Sequence, residues 1–134
     1  MVAMEDGDFV MALHPATLLH QMKTSASRCV LIDCRSYIAF NSSRVRTSLN
    51  INCPPILKRR LHRGSASLNS IVICSESRER LEEADKFILY DDRTSDWRAL
   101  ENDNTMKIIA NVLKRERKRK IIYFLQGEPV VFIN

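Results

Sequence analysis

The sequence predicts an α/β domain with about five strands, mainly parallel, in a central sheet flanked by helices. Three short β-rich runs are almost continuously apolar, at Cys29–Asp33, Lys86–Tyr90 and Lys120–Leu125. Strands covered on both faces have this pattern, which favours a parallel sheet. Segments with helical spacing separate the runs, and 134 residues fit a single domain, 1–134.

Weaker local signals predict the other elements. His14-Pro15 can open a helix, because proline is favoured at the first helical position. In chain order, these predicted elements are an edge strand at Phe9–Ala12, helices at Ala16–Met22 and Tyr37–Ser43, a strand at Leu49–Asn52 and a helix at Arg78–Ala84.

The longest helix is predicted after Asn104, a residue type that caps helices. Its apolar residues recur at the spacing of one buried helix face: Met106, Ile109, Val112 and Leu113. Its cations are expected to face outward: Lys107, Lys114 and Arg117. The alternation of strands and helices favours right-handed crossovers.

Composition narrows the function classes. The net charge of +5 and the pI near 9.2 favour an acidic partner. No apolar run approaches the roughly 20 residues of a membrane span, and Met1–Asp8 is acidic, so we expect neither a secreted nor a membrane-bound chain. The cysteines and histidines lack metal-ligand spacing, so we expect free thiols and neither metal nor cofactor.

Phosphatases with a cysteine nucleophile need an arginine six positions after the cysteine, around a loop that holds phosphate. The spacing occurs three times, at Cys29 and Arg35, Cys53 and Arg59, and Cys74 and Arg80. No interval contains glycine, and Pro54 and Pro55 remove two amide donors from the second. Glu76 and Glu79 would repel phosphate at the third. We interpret the spacings as coincidences and predict no catalytic residue.

A first basic cluster directly follows the stiff Pro54-Pro55 pair. Its four cations lie among three apolar residues: Lys58, Arg59, Arg60 and Arg63, with Ile56, Leu57 and Leu61. Exposed ion pairs contribute only about 0.2–1 kcal/mol each, so a docking segment would also need an apolar residue in a pocket of its partner. A docking segment and a solvated basic loop both remain open.

A second basic cluster follows the longest predicted helix, and its members are Lys114, Arg115, Arg117, Lys118, Arg119 and Lys120. Cations stabilise the C-terminal end of a helix dipole, which favours a structural role. A nuclear-import signal or a nucleic-acid contact is the alternative. The cluster has no interleaved aromatic residues, which makes nucleic acid the weaker alternative.

Several segments together resemble the rhodanese-homology domain of mitogen-activated protein (MAP) kinase phosphatases, from about Leu18 to Phe132. They are Leu31–Asn41 with Ser48–Asn52 behind it, Ile56–Leu61, Tyr90–Ser95 and Phe124–Gly127. The resemblance implies a rhodanese-like three-layer fold with an ordered core at about 9–132. It also implies that the chain is truncated before a dual-specificity phosphatase domain.

In active rhodaneses the loop after the strand that matches Lys86–Tyr90 begins with the sulfur-carrying cysteine. The matching residues here are Asp91, Asp92 and Arg93. A carboxylate cannot form a persulfide, and adjacent acids would disfavour an anionic sulfur donor. The resemblance therefore implies that this chain is inactive by itself.

The same resemblance gives Asp33, Cys34 and Arg35 a structural role, in which Asp33 and Arg35 fix the following turn. Two turns depart from the family pattern: Ser43-Arg44 and Thr47 replace the usual glycines before the second strand, and Gly127-Glu128 replaces a double glycine.

The resemblance implies that Lys58, Arg59 and Arg60 bind an acidic patch on a MAP kinase, extracellular-signal-regulated, p38 or Jun N-terminal, while apolar neighbours enter a groove. The parent protein would be a dual-specificity phosphatase that dephosphorylates and inactivates MAP kinases in the nucleus, the cytoplasm or both. The alternatives are a sulfurtransferase-like domain and a nucleic-acid-binding domain that uses the basic clusters.

Overall fold

The computed structural model describes residues 9–24, 28–72, 74–117 and 120–127. Its strands are β1 (Val10–Leu13), β2 (Cys29–Asp33), β3 (Leu49–Asn50), β4 (Lys86–Tyr90) and β5 (Ile121–Leu125). Its α-helices are α1 (Leu18–Thr24), α2 (Tyr37–Ser42), α3 (Pro55–His62), α4 (Leu68–Ile71), α5 (Ser75–Glu83) and α6 (Thr105–Glu116). Short 3-10 helices span Pro15–Thr17 and Trp97–Ala99.

The strands form one sheet in the order β1-β5-β4-β2-β3, and all neighbouring strands are parallel. The α/β class and the parallel sheet are therefore confirmed, and β1 lies at an edge as predicted. Strand β3 is shorter than predicted, because it pairs with β2 only at Leu49 and Asn50. Beyond it the amide of Ile51 still donates to the carbonyl of Asp33 at 3.0 Å, and residues 51–54 form neither strand nor helix.

Two layers of apolar side chains cover the two faces of the sheet. On β4, Phe87 and Leu89 belong to the larger core cluster, together with residues of α3, α4, α5 and α6. Ile88 and Tyr90 point to the opposite face, where they join Leu18 of α1. Since successive side chains of a strand alternate between faces, β4 is buried on both. This arrangement confirms the three layers.

Helix α6 begins as predicted, because the Asn104 side-chain oxygen accepts hydrogen bonds from the amides of Met106 (2.9 Å) and Lys107 (3.2 Å). The predicted outward position of Arg117 is wrong. Its side chain is 13% exposed, and its Nη2 lies 3.0 Å from a Glu82 carboxylate oxygen. The helix has ended at Glu116, so the changed backbone turns Arg117 towards α5.

Candidate functional site

A cleft of about 620 Å³ opens where the carboxyl ends of β2 and β4 meet. In open parallel sheets this edge is where ligands bind. The cleft brings together residues 34–35, which follow β2, and residues 91–93, which follow β4. It also touches helices α2, α3 and α6. The lining includes Cys34, Arg35, Lys58, Asp91, Asp92 and Arg93.

Asp91 closes its own loop directly after β4, where the family resemblance predicts the counterpart of the rhodanese nucleophile. One carboxylate oxygen accepts hydrogen bonds from the amides of Arg93 (3.0 Å) and Thr94 (2.8 Å). The other accepts the Thr94 hydroxyl at 2.6 Å. The loop amides that could face an anion thus bind the protein's own carboxylate. Asp92 and Arg93 form only an exposed pair at 3.5 Å.

Asp33 and Arg35 make the predicted contact, which fixes the turn into α2. The Asp33 side chain is 0% exposed, and the Arg35 guanidinium donates to it at 2.8 Å. Arg35 also donates to the carbonyl of Ser43, so the pair ties together both ends of the α2 segment. The hydrogen bonds that Arg35 donates to Asp33 raise the pKa of Arg35, which keeps the guanidinium charged.

Cys34 lines the cleft but is a poor nucleophile. Its side chain is buried, and burial, together with the nearby Asp33 and Asp91, raises the pKa of its thiol well above the ordinary value. Only a thiolate attacks effectively. The structure therefore agrees with a structural role for Cys34.

The three cysteine–arginine spacings do not enclose phosphate loops. Strand β2 occupies most of the interval after Cys29, and the start of α3 occupies the interval after Cys53. Helix α5 begins directly after Cys74, and Arg80 donates to the carbonyl of Thr47 at 2.6 Å. A strand or a helix thus stands where a phosphate loop would be required.

We expect iodoacetamide at mildly alkaline pH to modify Cys74 before the buried thiols. Cys74 is exposed, and hydrogen bonds from the amide and hydroxyl of Ser77 lower its pKa. Burial instead raises the pKa of Cys53 to about 11 and keeps Cys34 protonated. Peptide mass spectrometry over time measures the order, and Cys74→Ser should remove the fast phase. Rapid modification of Cys34 in the folded chain would contradict the assignment.

The first basic cluster is a helix, α3, and not a loop. Pro55 occupies the first helical position, where its fixed φ is suited to a helix. Leu57 and Leu61, spaced four apart, are the sequence signal that could have predicted this helix. Residues four positions apart lie on the same face of a helix. Ile56 and Arg60 therefore lie together on a face next to the one that carries Leu57 and Leu61.

The helix separates the predicted contact residues. Ile56 is 65% exposed, and Arg59, Arg60 and Arg63 are exposed as well. Leu61 is 0% exposed and belongs to the larger core cluster, so the expectation that it could fill a pocket of a partner is wrong. The packing of α3 against α6 buries Leu61 and leaves Ile56 as the exposed apolar residue of the cluster.

In the second basic cluster, the described members each contact a neighbour within the domain. The Lys114 ammonium lies 4.4 Å from the centroid of the Phe9 ring. The other contacts are Arg115 with Glu116 at 3.9 Å, Arg117 with Glu82 and Lys120 with Asp85 at 4.0 Å. These contacts agree with a structural role at the end of α6. Lys118 and Arg119 lie outside the described residues, and nuclear import stays a prediction.

Among the described residues, no helix is both long and apolar enough to cross a bilayer. In the same part of the chain, no group of three or more histidine, cysteine, aspartate or glutamate side chains could hold a metal ion.

Known structures support the fold. A Saccharomyces cerevisiae protein described as a homologue of single-domain rhodanese and of the Cdc25 phosphatase catalytic domain matches with a TM-score of 0.52, at 14% identity, over 96% of this chain and 82% of its own. A Rhodopseudomonas palustris protein of unknown function, described as a possible tyrosine phosphatase, matches with the same TM-score, at 12% identity, over 96% and 88% of the two chains.

Sequence comparison identifies the family, although no family model matches. The chain is 39% identical over 104 residues to dual specificity protein phosphatase 1-B of Xenopus laevis, which covers 76% of this chain and 28% of that protein. It is 34% identical over 113 residues to dual specificity protein phosphatase 4 of Gallus gallus, covering 82% and 30%. The chain thus spans less than a third of these relatives. From these matches and its parallel α/β sheet, the chain belongs to the dual-specificity protein phosphatase family as the rhodanese-like, N-terminal regulatory domain.

Proposed function

We propose that this domain docks MAP kinases through α3, and that the protein to which it belongs dephosphorylates and inactivates them. The observation that carries the proposal is the exposed Ile56 on a helix that also presents Arg59 and Arg60 to solvent. An apolar anchor beside two cations is complementary to an acidic groove with an apolar floor. The relatives are named as dual-specificity phosphatases, which supports the phosphatase part of the proposal.

Helix α3 is held firmly against the domain, which makes it suitable for docking. Leu61 is fully buried, and the Arg115 guanidinium lies 3.5 Å from the Leu61 carbonyl at the end of the helix. A helix that is held in place before binding loses less conformational entropy when it binds than a flexible loop does. The ion pairs of Arg59 and Arg60 then set orientation and association rate, while Ile56 excludes water.

The degenerate loop supports a binding role over sulfur transfer. Asp91 is bound by its own loop, and the cleft around it has acidic side chains at Asp92, Glu101 and Asp103. Three cations line the same cleft: Arg35, Lys58 and Arg93. What disfavours sulfur transfer is therefore Asp91 itself, whose carboxylate cannot carry a persulfide. Docking would serve the enzyme wherever its kinases act, in the nucleus or in the cytoplasm.

We expect Arg59→Ala combined with Arg60→Ala to weaken kinase binding at least tenfold, which is about 1.4 kcal/mol. Both side chains are exposed, so the double variant should fold like the unmodified chain. Titration calorimetry against purified extracellular-signal-regulated, p38 and Jun N-terminal kinases measures the effect and identifies the preferred kinase.

The matched control is Arg46→Ala combined with Arg78→Ala, which removes the same charge from exposed positions outside α3. It should bind nearly as the unmodified chain does, since long-range charge effects are screened within about 8–10 Å at physiological salt. Equal losses in both double variants would point to net charge instead of a docking helix. Full affinity in the folded Arg59, Arg60 variant would refute the proposal.

A further inference from the structure

A second, smaller cavity lies beside α3. Its volume is about 320 Å³, and its walls come from α3, from the turn before α6 and from α6 itself. The lining residues are Lys58, Arg59, Arg63, Asn102, Asp103 and Ile108. Hereafter it is called the α3 pocket. Its volume is at the lower end of the range of about 300–1,000 Å³ found for ligand pockets, which suits a single side chain and its neighbour.

The chemistry of the α3 pocket is apolar inside and basic at the rim. Ile108 lines the pocket but is only 2% exposed, so the apolar lining comes mainly from the aliphatic parts of the surrounding long side chains. Arg59 and Arg63 are one helical turn apart, so their side chains extend over the same part of the helix. Their methylene stems, like that of Lys58, can cover apolar surface while the charged ends remain in water. Three cations stand against one carboxylate, Asp103.

The wall opposite α3 is held by hydrogen bonds. The Lys107 ammonium donates to the carbonyl of Leu100 at 3.2 Å and to the side-chain oxygen of Asn102 at 3.3 Å. The amide of Asn104 donates to the carbonyl of Glu101 at 3.1 Å. The turn before α6 is therefore braced against the helix that it precedes. The pocket is formed without a partner.

We propose that the α3 pocket receives an apolar side chain of the docked kinase, with a neighbouring carboxylate of the kinase held by Arg59 and Arg63. The inference rests on the proposed kinase docking and extends it, because the domain then accepts a side chain as well as inserting Ile56. The positive rim selects an acidic neighbour by charge complementarity. The apolar lining gains from excluding water, which the ion pairs alone do not do.

Asp103 provides a separate test of the proposed kinase carboxylate. Its carboxylate lines the same cavity as the three cations, so it opposes the entry of a second carboxylate. Asp103→Asn keeps the shape of the side chain and removes the repulsion. Kinase binding should tighten about threefold, as expected for one exposed charge interaction. A purely structural role of Asp103 would not produce tighter binding.

The experiment fills the α3 pocket without removing a cation. Asn102→Trp places an indole at the cavity and also removes the hydrogen bond from Lys107, so Asn102→Ala, which removes only that bond, is measured beside it. Kinase binding measured by calorimetry should be at least about tenfold weaker for the Trp variant than for the Ala variant. Asn111→Trp is the matched control, because Asn111 is an exposed residue of α6 that does not line the pocket. It should bind as the unmodified chain does. Thermal unfolding of all three variants verifies that they fold.

The outcomes separate the two proposals. Unchanged binding by Asn102→Trp, or an equal loss in Asn102→Ala or Asn111→Trp, overturns the pocket. Failure of Asp103→Asn to tighten binding overturns the neighbouring carboxylate and with it the proposed occupant. If the Arg59, Arg60 double variant loses binding while Asn102→Trp keeps it, docking through α3 stands and the pocket alone is refuted. If the unmodified chain binds no kinase, the proposed function fails first.

Discussion

Replacing Asp33 by alanine should lower the free energy of unfolding by about 3 kcal/mol or more. Asp33 is 0% exposed, and its carboxylate accepts hydrogen bonds from the Arg35 guanidinium and from the Arg35 backbone amide, the latter at 2.9 Å. Removal of one member of a buried pair leaves the other charge without its partner in a poorly solvated position. Denaturation by urea, monitored by the fluorescence of Trp97, measures the change.

The control for this prediction is Asp92→Ala in the neighbouring loop. Asp92 also pairs with an arginine, Arg93, but its side chain is 49% exposed and that of Arg93 is 85% exposed. Exposed pairs contribute about 0–1 kcal/mol, so this variant should unfold almost as the unmodified chain does. Similar losses in the two variants would show that burial is not what makes the Asp33–Arg35 pair important.

Leu61→Ala should lower the free energy of unfolding but hardly change kinase binding, and Ile56→Ala should do the reverse. Leu61 is 0% exposed in the core, so its truncation should cost about 2–5 kcal/mol through lost burial and a remaining cavity. Ile56 is 65% exposed, so its truncation should change the free energy of unfolding by less than about 0.5 kcal/mol.

For kinase affinity, the expected losses of these two variants are in the reverse order. Ile56→Ala removes the apolar residue that we propose contacts the kinase, and we expect it to weaken binding about tenfold. Leu61→Ala, studied at a temperature where it is still folded, should bind with nearly the affinity of the unmodified chain. Urea denaturation and calorimetry on the same samples test both statements. If binding depended on Leu61 and not on Ile56, the orientation of α3 would be wrong.

Much of the sheet was predictable because its signals are local. The apolar runs at Cys29–Asp33 and Lys86–Tyr90 have no polar alternation, and a strand of that kind has to be covered on both faces. Asn104 caps α6 by hydrogen bonds to residues two and three positions ahead, which the sequence alone can indicate. Asp91 excludes a persulfide by its chemical identity, whatever the surrounding structure.

The candidate docking surface was only partly predictable. The cluster of cations and apolar residues after Pro54 is evident in the sequence, and it indicates a charged contact. Which of its members meet a partner depends on the packing of α3 against α6, two elements that are separated by more than 40 residues. The sequence therefore left Leu61 and Ile56 equivalent, and the α3 pocket had no sequence signal.

By itself, then, the sequence determined the parallel sheet, the cap of α6 and the basic character of the 56–63 segment, because each depends on residue types within a short stretch. Tertiary structure decided that Leu61 is core and Ile56 is surface, and that Arg117 turns inward to Glu82. These outcomes depend on which neighbours the fold brings to each side chain, since burial and hydrogen-bond partners arise only when distant elements pack together.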